Sequence, residues 1–194
     1  MPLEELLAYK KECLAELENL SLAGLIDLFY ADESQVSTEG YVPYGWQLPG
    51  EQVFVPSEKG AKINCFALVS RQCQCHWRTT EQIIDAPFVF EQLENLAFSI
   101  QKHTVVVLDN APVHTAKIIR QRIPCWQQKG LFVFFLPPYS PHLNIAETLW
   151  RHLKKFWIAP EDYIEKDNLF FAVNRALAAV GSQLSVDFSP FNAN

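Results

Sequence analysis

Three acidic residues in this chain follow stretches that end abruptly. Asp32 follows the apolar run LIDLFYA, Asp109 follows the β-branched run TVVVL, and Glu147 follows the proline-rich stretch PPYSPHLNIA. The first two runs read as strands, over 25–32 and 104–109, and residues 145–158 read as a helix. The acids are therefore expected at the ends of two strands and in the first turn of a helix. Open α/β sheets build their sites at strand ends. Three carboxylates brought together repel one another and need cations to stay ionised. An all-oxygen donor set suits magnesium or manganese. Two such ions, about 3.5–4 Å apart, serve phosphoryl transfer. Each acid also has a plain structural reading. Asp32 can cap a turn, and Glu33 beside it competes for the metal. Asp109 opens Asp-Asn-Ala-Pro, an ordinary turn signal. Glu147 suits a first turn through the helix dipole.

The elements that must position these acids follow from the surrounding pattern. Residues 3–20 carry Leu6, Leu7, Cys13, Leu14, Leu17 and Leu20 on one stripe, which predicts a helix. Residues 40–50 mix Gly, Pro and aromatics without a period and read as a loop or irregular hairpin, and 52–56 can form a short strand. Strands are expected over 61–69 and 72–78, joined by a turn at Ser70-Arg71-Gln72 and so antiparallel. A helix over 81–99 precedes the 104–109 strand, whose unbroken β-branched run predicts burial on both faces. A helix over 113–122, a buried strand over 131–136, a rigid proline loop over 137–144 and a last helix over 161–180 complete the chain. The expected fold is α/β, with a mixed five-stranded sheet flanked by helices: an antiparallel meander first, then parallel strands. Residues 1–24 read as an N-terminal helix or linker, 25–184 as the domain, and 185–194 as a loose tail.

The hydrophobic fraction of 49% over 194 residues suffices for one core. No apolar run approaches the roughly 20 residues that span a bilayer, and the first twenty residues are acidic, so a cytoplasmic protein is expected. Five cysteines make no disulfide framework. Cys73 and Cys75 are expected as buried core residues on one face of a strand. The net charge of −6 argues against a polyanionic partner, but its distribution does not. Residues 102–155 hold eight basic residues and only two acids, Asp109 and Glu147. Such a stretch suits phosphate contacts.

The segments VVVLDNAPVHTAK, 105–117, and FFLPPYSPHLNIAETLWRHLKK, 134–155, resemble the signature of the DDE transposase superfamily, in its mariner-related bacterial insertion-sequence branch. The segment LFYADESQVSTEGYVPYGWQLPGE, 28–51, resembles that family's opening block. The resemblance implies a ribonuclease-H-like fold. It implies that Asp32, Asp109 and Glu147 are the catalytic, metal-binding trio, with two Mg²⁺ ions per site for which Mn²⁺ substitutes. It implies hydrolysis of a DNA phosphodiester at a transposon end, followed by strand transfer into target DNA. Asn110 is then expected to position a water or brace Asp109, and His114 to orient a phosphate or a carboxylate. Trp46 is expected to stack on a base or pack, and Arg151, Lys154 and Lys155 to bind phosphate. Asn144 is expected to cap the helix that carries Glu147, while Leu149, Trp150 and Leu153 belong to the core.

The family's Pro-Ile before the glutamate is Ile145-Ala146 here, which is expected to alter loop stiffness and leave the chemistry intact. The helix-turn-helix domains that precede such cores have no room in 24 residues. The expected origin is a second reading-frame product, a truncated copy or a recruited core. A helix-turn-helix partner and a homodimer are both open. The alternatives are a core that binds DNA or a partner transposase chain without transposing, and a nuclease of the same fold in repair or RNA processing. Like-charge relief predicts that Asp32→Asn or Asp109→Asn leaves the metal-free fold at least as stable.

Overall fold

The computed structural model describes residues 3–39, 50, 60–189 and 191. Trp46 and the expected strand at 52–56 lie outside the described residues. Strands β1 (Asp27–Ser37), β2 (Lys62–Val69), β3 (Cys75–Thr80), β4 (Thr104–Leu108) and β5 (Leu131–Phe135) form one sheet in the order β3-β2-β1-β4-β5. β1–β2 and β2–β3 are antiparallel, and β1–β4 and β4–β5 are parallel. This is the mixed arrangement expected from two tight reversals followed by crossovers.

Helices cover both faces. α1 (Leu3–Leu22), α4 (Ala146–His152) and α5 (Lys166–Ala179) share one core with Leu28, Tyr30, Val105 and Val107. α2 (Ala86–Ser99) and α3 (Lys117–Lys129) share the other with Phe29, Ala31, Val106 and Leu108. Successive residues of β1 and β4 thus feed opposite cores, which is why neither strand alternates in polarity. β5 departs from expectation. It is an edge strand in which only Leu131 is buried. Its open side is met by Lys10 of α1, whose Nζ donates to the Phe135 carbonyl at 3.0 Å and lies over the Phe134 ring.

α1, read from sequence as a helix or linker ahead of the domain, contributes fully buried Leu14 to the core. Its Glu18 accepts from the Tyr30 hydroxyl and from Arg71 Nε at 2.6 Å. The segment from 185, read as a loose tail, also packs: Val186 is buried, Phe188 lies against the core, and Arg71 donates to the Ser189 carbonyl. Cys73 is not on a strand. It sits in the β2–β3 turn with φ 59°, so the two thiols do not share a strand face. Its sulfur instead accepts from Val186 N–H at 3.4 Å. Gly181 closes against this turn at φ +80°, where a Cβ would stand 2.4 Å from the Cys73 carbonyl oxygen. Any other residue there would displace the C-terminal segment.

Helix boundaries also move. α2 starts at Ala86 because the Asp85 side chain caps it through Phe88 N–H. α3 starts at Lys117, behind turns over 111–115. The expected 145–158 helix passes at Leu153–Trp157 into a wider π-helical turn, and the expected 161–180 helix splits into a 3-10 turn, Pro160–Tyr163, and α5. Among the described residues, no helix is long and apolar enough to cross a membrane.

Candidate active site

β1 does not stop at Asp32. Its parallel pairing with β4 ends at Tyr30–Val107, while its antiparallel pairing with β2 runs on to Ser37–Lys62. Asp32 therefore lies in mid-strand, opposite Ala67, just past the point where β4 leaves the ladder. Asp109 is the first residue after β4. The divergence of the two strands opens the sheet where the acids stand, as at the switch points of open α/β sheets.

Strand alternation separates Asp32 from Glu33. Asp32 shares the face of Tyr30 and receives a hydrogen bond from Trp150 Nε1 to Oδ2 at 3.1 Å. Glu33 shares the face of Ala31 and meets His114. The two acids are thus not rivals for one position. Trp150 belongs to the core as expected, 5% exposed, but its indole also holds Asp32. Its position one turn after Glu147 was the available signal, since residues three apart share a helix face.

His114 is fully buried between two carboxylates. Nδ1 lies 2.6 Å from Asp109 Oδ1, and Nε2 lies 3.0 Å from Glu33 Oε2. The second contact is an ion pair without hydrogen-bond alignment, and neither atom has a hydrogen-bond partner among the described residues. Burial alone would lower the imidazole pKa, but the hydrogen bond with Asp109 and the nearby charges of Glu33 and Asp109 carry it up to about 9. The ring is therefore a cation at neutral pH, with Nδ1 donating to Asp109 Oδ1. It links β1 to the loop after β4. His114 thus contacts two carboxylates, of which Glu33 was not anticipated as its partner.

The acids differ in their electrostatics. Burial, followed by the charges of Glu33, Glu147 and Asp109, pushes the Asp32 carboxyl up to about 7. Asp109 moves the other way: the hydrogen bond from His114 holds its pKa below the ordinary aspartate value, aided by Ala111 N–H at 2.9 Å. Glu147 is exposed in the first turn of α4. Asn144 fixes that helix to the sheet. Its side-chain oxygen accepts from Ala146 N–H at 3.1 Å and its amide donates to the Ala31 carbonyl at 3.1 Å, one residue before Asp32. The expected cap thus also ties the element bearing Glu147 to the strand bearing Asp32.

The other expected residues are placed unevenly. Asn110 donates to the Leu136 carbonyl and pins the proline loop to the end of β4; it braces the loop and not Asp109. Lys154, in the π-helical turn, is half-buried, and burial lowers its pKa against the opposing pull of Cys65, Asp32 and Glu147. Arg151 is exposed and borders, with Glu147, Thr148, Arg71 and Phe188, a cleft of about 690 Å³. Lys155 is exposed outside that cleft. A second cleft, about 420 Å³, is bordered by Asp109, Asn110 and the proline loop. Asp32 lines neither cleft.

The donor set of the three acids is entirely oxygen, and the charges of Glu147 and Asp109 raise the Asp32 pKa. Both features fit a hard divalent cation. Among the described residues, no three His, Cys, Asp or Glu side chains stand close enough to form a complete metal site as they lie.

The family model for DDE superfamily endonuclease matches residues 27–169. The chain belongs to this family. Among solved structures, this DDE endonuclease chain resembles the Mos1 transposase paired-end complex with left transposon end, with TM-score 0.55 and 17% identity over 93% of this chain and 60% of that one. The Mos1 mariner paired end complex with Mn gives TM-score 0.54 and 18% identity, over 94% and 64%. The catalytic core domain of BIV integrase gives 0.51 and 16%, over 82% and 86%. The fold is thus ribonuclease-H-like, of the transposase and integrase catalytic-core kind, and the mariner neighbours agree with the branch that the motifs resemble. A curated protein of Sinorhizobium fredii (strain NBRC 101917 / NGR234), y4pE/y4sA, is 26% identical over 87 residues, 44% of this chain and 60% of that protein. The chain spans about 60% of the length of these first relatives.

Proposed function

We propose that this DDE endonuclease domain cleaves a DNA phosphodiester at a transposon end and joins the freed 3′-hydroxyl to target DNA. The observation that carries the reading is the divergence of β1 and β4 past Tyr30–Val107, just before Asp32 and Asp109, with burial and then the charges of Glu33, Glu147 and Asp109 pushing the Asp32 carboxyl up to about 7. Asp32, Asp109 and Glu147 would hold two Mg²⁺ or Mn²⁺ ions, which when bound stabilise charge on the attacking and leaving oxygens. The chain's own groups do the positioning. Trp150 orients Asp32, and His114 keeps Asp109 ionised and fixed through one oxygen. Asn144 sets Glu147 against β1. Arg151 and Lys155 offer charge to the DNA backbone, and Lys154 offers it beside the acids. Both steps are in-line displacements at phosphorus, and neither needs a covalent protein intermediate. We place the domain in the cytoplasm, with α1 and the segment around Val186 as parts of the same packed unit as residues 25–184.

The test is metal binding joined to strand transfer. Calorimetry should detect weak Mn²⁺ binding to the wild type and none to Asp109→Ala. Pre-cut ends should be joined to target DNA by the wild type, with or without a helix-turn-helix chain added in trans. Asp32→Asn, Asp109→Asn and Glu147→Gln should each lose at least about a hundredfold in rate, the scale of removing one transition-state charge stabiliser. Equal Mn²⁺ binding by wild type and Asp109→Ala would remove the assignment.

DNA affinity should be weak and indifferent to sequence. The net charge of −6 gives poor long-range attraction, while the basic residues of 102–155 leave local phosphate contacts. Fluorescence anisotropy across a salt series should show affinity falling steeply with salt. Arg151→Ala and Lys155→Ala should weaken cognate and scrambled duplexes alike. A hundredfold preference for the cognate end, about 2.7 kcal/mol, would place specificity inside this chain.

A further inference from the structure

We propose that Arg71 holds a backbone phosphate of the bound DNA in the cleft that Glu147 borders, an inference that rests on the DNA-cleaving reading above. Arg71 stands in the β2–β3 turn, far ahead of Glu147 in the chain, and no motif singles it out. Yet it lines the same cleft, of about 690 Å³, as Glu147 and Arg151. Two arginines and one acid, Glu147, line that cleft, together with His142. The one acid is among those proposed to hold the divalent cation, so the cleft is not closed to a polyanion.

The guanidinium is braced from the core. Nε donates to Glu18 Oε1 at 2.6 Å, and Nη1 donates to the Ser189 carbonyl at 2.7 Å. The side chain of Glu18 is 5% exposed, against 15% for Arg71, and it also accepts from the hydroxyl of fully buried Tyr30. Glu18 offsets the arginine's charge, but it takes only the Nε bond. The planar fork carries further N–H groups, and it can serve oxyanions on more than one side in fixed geometry. A lysine ammonium, a point charge on a flexible stem, has no such fork.

Stability alone does not account for this arrangement. A buried ion pair adds little that apolar side chains of similar volume would not, because desolvation offsets its attraction. What the pair does supply is a donor group held in one orientation at a cleft. The other parts of the cleft are equally fixed. Phe188, Ser189 and Phe191 border it, and their segment is anchored where Val186 N–H meets Cys73 Sγ at 3.4 Å. Arg151 Nη2 is tied to Thr148 Oγ1 at 3.0 Å. Two braced guanidinium groups thus line one cleft beside a proposed catalytic acid. Arginine forks match phosphate oxygens, and contacts of this kind set the register of DNA without reading its sequence. Arg71 would therefore fix where the strand lies relative to Glu147.

The experiment uses the full chain in chelator, which prevents cleavage, and DNA ends in which single backbone linkages are replaced in turn by uncharged methylphosphonates. Anisotropy on the wild type should identify a few linkages whose neutralisation weakens binding. Combining Glu18→Gln with Arg71→Gln removes both buried charges together, so no lone carboxylate is left in the core. This double variant should bind all-phosphate DNA about tenfold more weakly, the lower end of what hydrogen bonds to a charged group contribute. At one sensitive linkage the methylphosphonate should cause it no further loss, while the other linkages keep their effect. Arg71→Lys, which keeps the charge and its Glu18 partner, should lose part of the affinity and soften the effect at that same linkage. Mn²⁺ binding by both variants should match the wild type, as an intact acid site requires. Identical methylphosphonate patterns in wild type and variants overturn the proposal and leave Arg71 as a brace for the C-terminal segment. A loss spread evenly over all linkages also overturns it, since general loosening of the cleft would produce that. Where the double variant fails to fold, Arg71→Lys decides alone. Failure of the endonuclease reading appears separately, as absence of Mn²⁺-dependent joining by the wild type.

Discussion

Asp32→Asn should stabilise the metal-free protein by about 2–4 kcal/mol at pH 8, and the gain should vanish below pH 4. The folded-state pKa is about 7, against an ordinary value of 3.8. Between those values the folded protein holds a proton that the unfolded chain has released. The stability that goes with this proton is fully present below about pH 4 and is lost as pH rises through 7. Each unit of difference corresponds to about 1.4 kcal/mol, which sets the upper end of the range. Asparagine removes the charge and keeps an oxygen that can accept from Trp150. Asp109→Asn should do the reverse. Its carboxylate is held below its ordinary pKa by His114, so it contributes stability above the unfolded value that is lost as pH falls. The opposite shifts thus predict a gain for Asp32→Asn in the metal-free fold and a loss for Asp109→Asn. Urea unfolding in chelator from pH 4 to pH 8 measures both. Parallel pH curves for wild type and Asp32→Asn would show that burial and repulsion at Asp32 are not what the geometry implies. Added Mn²⁺ should narrow the gap by binding the wild type alone.

His114→Ala should destabilise the protein by about 2–4 kcal/mol near pH 7. Breaking a buried charge pair from one side costs about 3–5 kcal/mol. The figure is reduced here because the side chains of Asp109 and Glu33 are 48% and 31% exposed, so water takes over part of the imidazole's role. The sign of the pH dependence follows from the raised pKa of about 9. The histidine's contribution is complete below its ordinary 6.5 and is lost as pH rises through 9. Asparagine and glutamine separate the two contacts. His114→Asn places a donor near the Nδ1 position and serves Asp109, while His114→Gln reaches toward Glu33. If His114 acts by fixing Asp109, the asparagine variant should retain the more strand-transfer activity, even where the two variants have equal melting temperatures. Equal activity at equal stability would reduce His114 to a core residue.

Much of the fold was legible because its signals are local. TVVVL is an unbroken β-branched run because both faces of β4 are buried, and burial on both faces is what such a run encodes. The β2–β3 pair was legible from a short turn. β5 was expected to be buried because LFVFF is as unbroken an apolar run as that of β4. Which strand becomes an edge depends on how the last crossover lands, and composition does not record it. Boundaries failed where a side chain in the preceding turn decides them, as with the Asp85 cap of α2. The C-terminal segment failed because its partners, Arg71 and Cys73, lie more than a hundred residues earlier.

Sequence by itself determined the chemical inventory: three acids behind apolar or proline-rich runs, a basic stretch around two of them, and motifs that resemble one superfamily. Those properties depend on residue type and spacing, which a chain carries before it folds. Only the tertiary structure decided how the acids differ. Asp32 and Asp109 are the same residue type after similar runs, yet one is pushed up to about 7 and the other is held low. The difference arises from what each meets in the fold: burial and the charges of Glu33, Glu147 and Asp109 at Asp32, and the hydrogen bond from His114 at Asp109. Strand alternation sends Asp32 and Glu33 to opposite faces, and the parting of β4 from β1 beyond Tyr30 exposes the gap between them. A carboxyl pKa is set by what surrounds it in space, and that is settled only when the sheet forms.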